Sequence, residues 1–398
     1  MNYKNLQIRQ LSKELVIDIH KMVLQKLPKL DLYKKIMNSA PHVLHLASCT
    51  LLLCLPIQSV HAQDTTPGKP AAVSTSTVGA LGSPELTDAT TEAIDRGLEF
   101  LVKDQASDGS WINAKSGPYK VPVANTSLAL MAFMVKGHFP GYGKYADTLD
   151  RGKKYLLRAA KESPDGYLGT SMYEHGLATL ALSEMWGMTK NRDDNEVIRN
   201  ALEACVKVIL RSQDPRGSWT YLPKPLGGDT SITIMQLVAL ASARQAGILV
   251  PDETIDRGIA YLKSCQSPDT GGFAYTPKNP KGTTYACSAG STYVLHLCGQ
   301  RNTDMLKAGV DYMKTWPEQI FTGDNAYYYY IHYYGLQAIV QDSDEAYAEW
   351  YPRIRDALLK RQQKNGSWLG GLGGAPQSTA MAILTLGTPH RFLPIYQR

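Results

Sequence analysis

The sequence predicts an all-α fold, an α/α toroid in which six outer helices surround six inner ones (an α6/α6 barrel). Three observations predict it. A pattern returns about every fifty residues, and each copy opens with an amphipathic helix. A second helix follows each of these, carrying small or apolar residues on nearly all sides. The first kind buries one face and the second is buried all round, so alternation gives two concentric rings.

The elements follow in order. Residues 1–62 read as an N-terminal extension carrying a secretory signal peptide. Lys34 and Lys35 precede an apolar run from Val43 to Ile57, and Val60 and Ala62 are the small residues before a cut after Ala62. Met37 is the more natural start for such a signal. It directs the chain to the periplasm or the medium. His45 and Pro56 interrupt the run, which is too short for a membrane span, and the mature chain has no other candidate. Residues 63–86, rich in Thr, Ser, Pro and Gly, are a flexible linker.

The toroid occupies 87–390. Its first outer helix contains Arg96-Gly-Leu-Glu-Phe-Leu101 and leads to Gln105, Gly109 and Trp111. The second, Arg151-Gly-Lys-Lys-Tyr-Leu156, ends in a degenerate Asp165-Gly-Tyr167. The third leads to Gln213, Gly217 and Trp219. The fourth, from Arg257-Gly258, leads to Gln266, Gly271 and Phe273. The fifth keeps only Ala308-Gly-Val-Asp-Tyr-Met313, and the sixth leads to Gln362, Gly366 and Trp368. Inner helices are expected over 125–133, 173–181, 229–237, 285–295, 329–338 and 377–384.

Composition narrows the function. The formal net charge is +6, but residues 1–62 hold eight Lys/Arg against three Asp/Glu, leaving 34 against 33 in the rest. No basic face for nucleic acid is predicted. Cys287 and Cys298 share one helix at a separation of about 16 Å and cannot pair. The cysteines beyond the signal read as structural thiols.

The spacing Arg-Gly-x-x-Phe-Leu-x-x-x-Gln-x-x-x-Gly-x-Trp resembles the repeat of squalene–hopene cyclases and protein prenyltransferase β subunits. Residues 96–111 match it at every position, and the third, fourth and sixth copies match in part. The resemblance spans about residues 88–388 and implies the toroid. In the cyclases a DxDDT motif opens an inner helix and its middle Asp protonates the substrate. Here Asp229 and Thr230 fit the last two positions, while Gly228 stands where that acid would be and Leu226 at the first position. A glycine donates no proton. Asp229 also reads as a helix N-cap.

The prenyltransferases bind zinc through Asp, Cys and His. Cys287 and His332 approximate two of these ligands, but Tyr285 replaces the Asp, so no metal or other cofactor is expected. No GxSxG, P-loop, HExxH or CxxC pattern is present. What remains is a concentration of hydroxylated aromatics at inner-helix starts, in a chain with 23 Tyr against 6 Phe. These starts should gather at one mouth of the toroid, making it the default site. The candidate lining residues are Tyr173, His175, Tyr285, Tyr329, Tyr330, His332, Tyr333 and Gln377, with Glu174 and Asp229 as a candidate acid/base pair. Three readings follow. One is an exported toroid that binds a ligand or protein, another an isoprenoid cyclase or prenyltransferase-like enzyme, and the third a glycan-acting enzyme.

Overall fold

The computed structural model describes residues 86–112 and 120–396. The expected signal, its expected cleavage site and the expected linker through residue 85 lie outside the described residues. In chain order the helices are α1 (Asp88–Asp104), α2 (Pro122–Met134), α3 (Ala146–Glu162), α4 (Met172–Met185), α5 (Arg192–Ser212) and α6 (Thr230–Gln245). There follow α7 (Asp252–Cys265), α8 (Tyr285–Leu297), α9 (Asp304–Lys314), the one-turn α10 (Gln319–Thr322), α11 (Tyr328–Asp342), α12 (Asp344–Arg361) and α13 (Gly374–Leu386). Among the described residues only isolated β-bridges interrupt the helical pattern.

The two helix kinds separate as their sequences require. Helix α1 buries one stripe, Ala93, Ile94, Gly97, Leu98 and Leu101, whereas α2 buries every residue from Val123 to Met134. The inner helices α2, α4, α6, α8, α11 and α13 each pack against the next, and α13 returns to α2. Outside them α1, α3, α5, α7, α9 and α12 form the second ring, closed where α12 meets α1. Glycines let inner helices approach closely. A Cβ on Gly290 would lie 2.7 Å from the Ile234 side chain, and one on Gly176 would lie 3.1 Å from Gln236. The chain alternates between rings, so all inner helices start at one mouth. At the other end the C-terminal segment folds inward, burying Leu393, Ile395 and Tyr396.

The repeated Gln-Gly-Trp residues brace the rings. In each complete copy the glutamine Nε2 donates twice, to its own turn and to the next outer helix. Gln105 bonds the carbonyls of Gly109 and Thr148 (both 3.0 Å), and Gln213 those of Gly217 (3.0 Å) and Thr254 (2.9 Å). Gln266 bonds Gly271 (2.9 Å) and Met305 (2.8 Å). Gln362 bonds Gly366 (3.0 Å) and Ala93 (2.8 Å), which ties the last repeat to the first. Each Trp indole donates back to its own outer helix, Trp111 to Leu101, Trp219 to Ile209 and Trp368 to Leu358. The backbone N–H at that position donates inward, to Thr126, Thr233, Ser288 or Thr379 on the following inner helix. One turn therefore joins three helices.

The glycine of this turn has two constraints. Gly217 adopts φ +93°, and a Cβ there would sit 2.0 Å from the Arg257 carbonyl oxygen. Gly143 shares the positive φ (+71°) but has nothing within 4 Å. Gly217→Ala is expected to lose roughly 3 kcal/mol or more, against about 1 kcal/mol for Gly143→Ala, because only the first adds a steric clash to backbone strain. Urea unfolding of the two variants checks this, and equal losses would refute the brace geometry.

Candidate functional site

The mouth is built by the loops that precede the inner helices, each pinned to the start of a neighbouring inner helix. Met172 N–H donates to the Tyr221 carbonyl (2.9 Å), placing Tyr221 beside the start of α4. Thr230 N–H donates to the Tyr275 carbonyl (2.9 Å), placing Tyr275 beside the start of α6. Across the ring, Tyr329 Oη donates to the Leu369 carbonyl (2.7 Å) and Asn125 Nδ2 to the Gly373 carbonyl (3.1 Å).

Asp229 caps α6. Its Oδ1 accepts from Ile232 N–H (3.0 Å) and from the Ser231 hydroxyl (2.5 Å). The same carboxylate interacts with the Tyr275 hydroxyl, which also meets Tyr221, and burial together with the Asp229 charge raises the Tyr275 phenol well above its usual range. Tyr330 approaches from α11. Its hydroxyl is buried without a hydrogen-bond partner, 3.1 Å from where a Cβ on Gly290 would stand. Burial, followed by the influence of Tyr173, Cys287, Asp229 and Tyr221, raises this phenol too. Tyr173, Tyr221, Tyr275, Tyr330 and Asp229 are thus brought together from three inner helices and two loops. One turn further along α11, Tyr334 Oη donates to Met235 Sδ (3.4 Å), bridging α11 to α6 past the intervening α8. Tyr334 and Tyr293 are fully buried there.

The other candidates serve the fold. Glu174 is fully buried, and its carboxylate accepts from the N–H groups of Val123 (3.1 Å), Ala124 (3.4 Å) and Thr170 (2.8 Å) and from the Thr170 hydroxyl (2.8 Å). It holds the first turn of α2 against α4, so it is no partner for Asp229 in proton transfer. His175 is the second repeat's brace. Leu168 stands in the tryptophan's place, and its N–H donates to His175 Nδ1 (3.1 Å) where other repeats use Thr or Ser; Nε2 faces the Cys205 carbonyl (3.0 Å). His332 lies on the opposite face of α11 from the mouth tyrosines. Its Nε2 sits 3.0 Å from the Ile320 carbonyl and its ring packs on Phe321 and Tyr328, so it does not join Cys287. Among the described residues no three His, Cys, Asp or Glu side chains gather as a metal site.

Tyr333 points toward the closed end, against Tyr396. Gln377 Oε1 accepts from Gly373 N–H (2.7 Å) and shapes the rim. Tyr285 packs edge-on against Trp316. Tyr329 lines a separate pocket of 280 Å³ with Tyr328, Arg361 and Asp324. All four described cysteines are free thiols. Sequence reasoning missed Tyr221 and Tyr275, because loop tyrosines show no periodicity. The signal was their position, each a few residues beyond a repeat aromatic and before an inner-helix cap.

Gly228 stands where the cyclase acid would be, and its surroundings close that position. A Cβ there would fall 1.9 Å from the Trp219 carbonyl oxygen, since Asp229 pairs with Trp219 in an antiparallel bridge. No side chain fits without rerouting the loop.

Comparison with known proteins gives the fold. No family model and no curated protein matches the chain. Among solved structures, a variant of the type II terpene cyclase MstE from Scytonema, in complex with its product merosterolic acid A, matches with TM-score 0.52 and 15% identity. It covers 77% of this chain and 98% of that one. An inactive variant of the α-1,6-mannanase GH76A of Salegentibacter sp. HEL1_6, in complex with α-1,6-mannotriose, matches with TM-score 0.58 and 8% identity over 76% and 99% of the two chains. Both neighbours are α/α toroids, as this chain is.

Two predictions follow from the buried groups. Burial lowers His175, His332 and His390 from the usual 6.5 to about 4. Between those pH values the unfolded chain binds protons that the folded chain refuses. Stability is therefore complete above pH 6.5 and falls as pH drops toward 4. Urea midpoints across this range should decline, and His175→Gln should make the decline shallower by about one proton. Glu174→Gln, which turns an amide NH2 toward backbone donors, should lose roughly 2 kcal/mol at pH 7. Unchanged stability would return Glu174 to the list of groups free for chemistry.

Proposed function

We propose that the chain is an exported ligand-binding toroid whose site is the tyrosine-lined mouth around Asp229. One observation carries this reading. The mouth gathers groups that bind, while the groups that would transfer protons are spent or absent. Glu174 gives both carboxylate oxygens to four hydrogen bonds, and position 228 admits no side chain. A glycosidase needs two available carboxyl groups, and the Glu174 carboxylate beside this part of the mouth is already committed to the backbone. A polyprenyl cyclase needs a deep dry cavity, and the Tyr334–Met235 contact crosses the lumen between α11 and α6. The buried, unpartnered Tyr330 hydroxyl supports a bound partner, because leaving such a group unsatisfied costs about 1–3 kcal/mol.

The cyclase reading keeps one supporting observation, the toroid shared with a terpene cyclase; the glycan reading keeps the toroid shared with a mannanase. A thermal-shift screen of the full chain against isoprenoids, oligosaccharides and peptides tests all three. A ligand at a hundred times its Kd should stabilise by about 2.7 kcal/mol, and Tyr330→Ala should abolish the shift. No turnover of the bound ligand is expected. Turnover that disappears in Asp229→Asn would overturn the non-catalytic reading.

A further inference from the structure

The fifth repeat has no Gln-Gly-Trp turn, and a pocket of 280 Å³ lies beside the loop that replaces it. Its lining comes from Asp324 and Asn325 in that loop, the start of α11, the end of α12 and the loop before α13. Tyr329 Oη joins two of these walls by donating to the Leu369 carbonyl (2.7 Å), and its ring meets that of Tyr328 edge-on at 5.3 Å. Arg361 Nη1 donates to Asp324 Oδ1 (2.9 Å), and Nη2 donates to the carbonyls of Thr322 (2.8 Å) and Gly323 (2.7 Å). The same guanidinium lies 4.1 Å from the centre of the Tyr328 ring. The walls are therefore tied to one another before any ligand arrives, which lowers the cost of binding.

The carboxylate in this pocket is left open. An arginine from the next outer helix also meets the turn acid in the second repeat, where Arg211 pairs with Asp165 at 2.6 Å. There the acid is absorbed by its own turn, accepting from the Ser163 hydroxyl (3.1 Å) and the Tyr167 N–H (3.2 Å). Asp108 is likewise absorbed by the N–H (2.9 Å) and hydroxyl (2.7 Å) of Ser110. In the fifth repeat Ala326 stands two residues after Asp324, with no hydroxyl to offer, and the Asp324 side chain is 98% exposed. Beside it Asn325 Oδ1 accepts from the Tyr327 N–H (2.7 Å), which leaves the amide NH2 as a donor. Arg361 and Asp324 cancel in charge, so neither an anion nor a cation finds an unpaired counter-ion. An apolar ring would take water from Asp324 and Asn325 and return no hydrogen bonds. A hydroxylated ring returns both kinds, a donor to the carboxylate, in a charge-assisted bond, and an acceptor to the amide. Size narrows the choice further. A cavity of about 150 Å³ holds benzene, with six heavy atoms, so 280 Å³ takes about twelve, the number in one hexose. We propose that this pocket binds a single neutral hexose ring, with hydroxyls held by Asp324 and Asn325, as a second site built from other residues than the Asp229 mouth.

Ligand-observed NMR titration of the full chain with the methyl glycosides of glucose, galactose and mannose tests this. At least one is expected to bind with a Kd on the order of millimolar, as about a dozen heavy atoms allow. Asp324→Ala should weaken that binding by about tenfold or more, and Asn325→Ala by several-fold. Both side chains are at the surface, so both variants should fold, which circular dichroism melts check. Methyl glucuronide, the same ring with a carboxylate, is expected to bind more weakly than the neutral glycosides because Asp324 repels it. No hexoside binding to folded wild type, or binding undiminished in Asp324→Ala, would overturn the assignment. So would tighter binding of the glucuronide, which would make Arg361 an anion site. The mouth is judged apart from this pocket: a ligand held there loses affinity in Tyr330→Ala, whereas one held here loses it in Asp324→Ala.

Discussion

Everything in this molecule depends on a glutamine amide that hydrogen-bonds in two directions. An outer helix that stops leaves its last carbonyls without partners, and the turn that follows exposes more. The Nε2 group of Gln105, Gln213, Gln266 or Gln362 takes one carbonyl from its own turn and one from the next outer helix. Each bond is worth only about 1 kcal/mol net. Its larger effect is geometric, because it fixes the angle between successive repeats. Repeating that angle closes a ring only if the last unit meets the first, and the Gln362–Ala93 bond shows that it does. The buried aromatic ring of each turn, Trp111, Trp219, Phe273 or Trp368, and the inner-helix hydroxyl that accepts its backbone N–H then fix how the inner helix enters.

That rigidity decides the fate of the charged groups at the mouth. Helices α4 and α6 start where a loop from the next repeat crosses them, so backbone N–H groups crowd this part of the rim. Carboxylates located there are drawn into satisfying them. Glu174 is consumed entirely, and Asp229 gives one oxygen to the first turn of α6. The bridge between Trp219 and Asp229 brings the loop so close that position 228 has no room for a side chain. A loop tied down in this way has its backbone path set by hydrogen bonds to neighbouring helices rather than by its own sequence.

The toroid was readable because its signals are local and repeated. Gln105, Gly109 and Trp111 stand at spacings that recur, and each copy corroborates the others. The mouth was only partly readable. Tyr173, Tyr330 and Asp229 could be assigned to one end of the toroid because inner-helix starts converge there by topology. His175 misled because a ring nitrogen can do the work of a threonine hydroxyl, and nothing in one sequence distinguishes a brace from a ligand contact. His332 and Tyr333 misled for another reason: six aromatic or imidazole side chains in the first two turns of α11 point in every direction, and only packing tells which face meets the lumen. Tyr221 and Tyr275 lie in loops, where side-chain direction follows from hydrogen bonds to distant helices rather than from any period.

The same packing sets the depth of the site and hence what it can hold. Inner helices that touch through Gly176 and Gly290 make a narrow ring, and a narrow ring lined by tyrosine fills itself. Tyr334 reaches Met235 across the lumen, Tyr293 is buried beside it, and the chain's own Tyr396 occupies the far end with Glu184 accepting the Ile395 N–H (3.1 Å). A wide ring of the same topology encloses a long chain and shields its reaction from water. In this ring the Tyr334–Met235 contact crosses the lumen, and the exposed rings of Tyr221 and Tyr275 lie at the rim, where the loops rather than the inner helices decide which side chains meet.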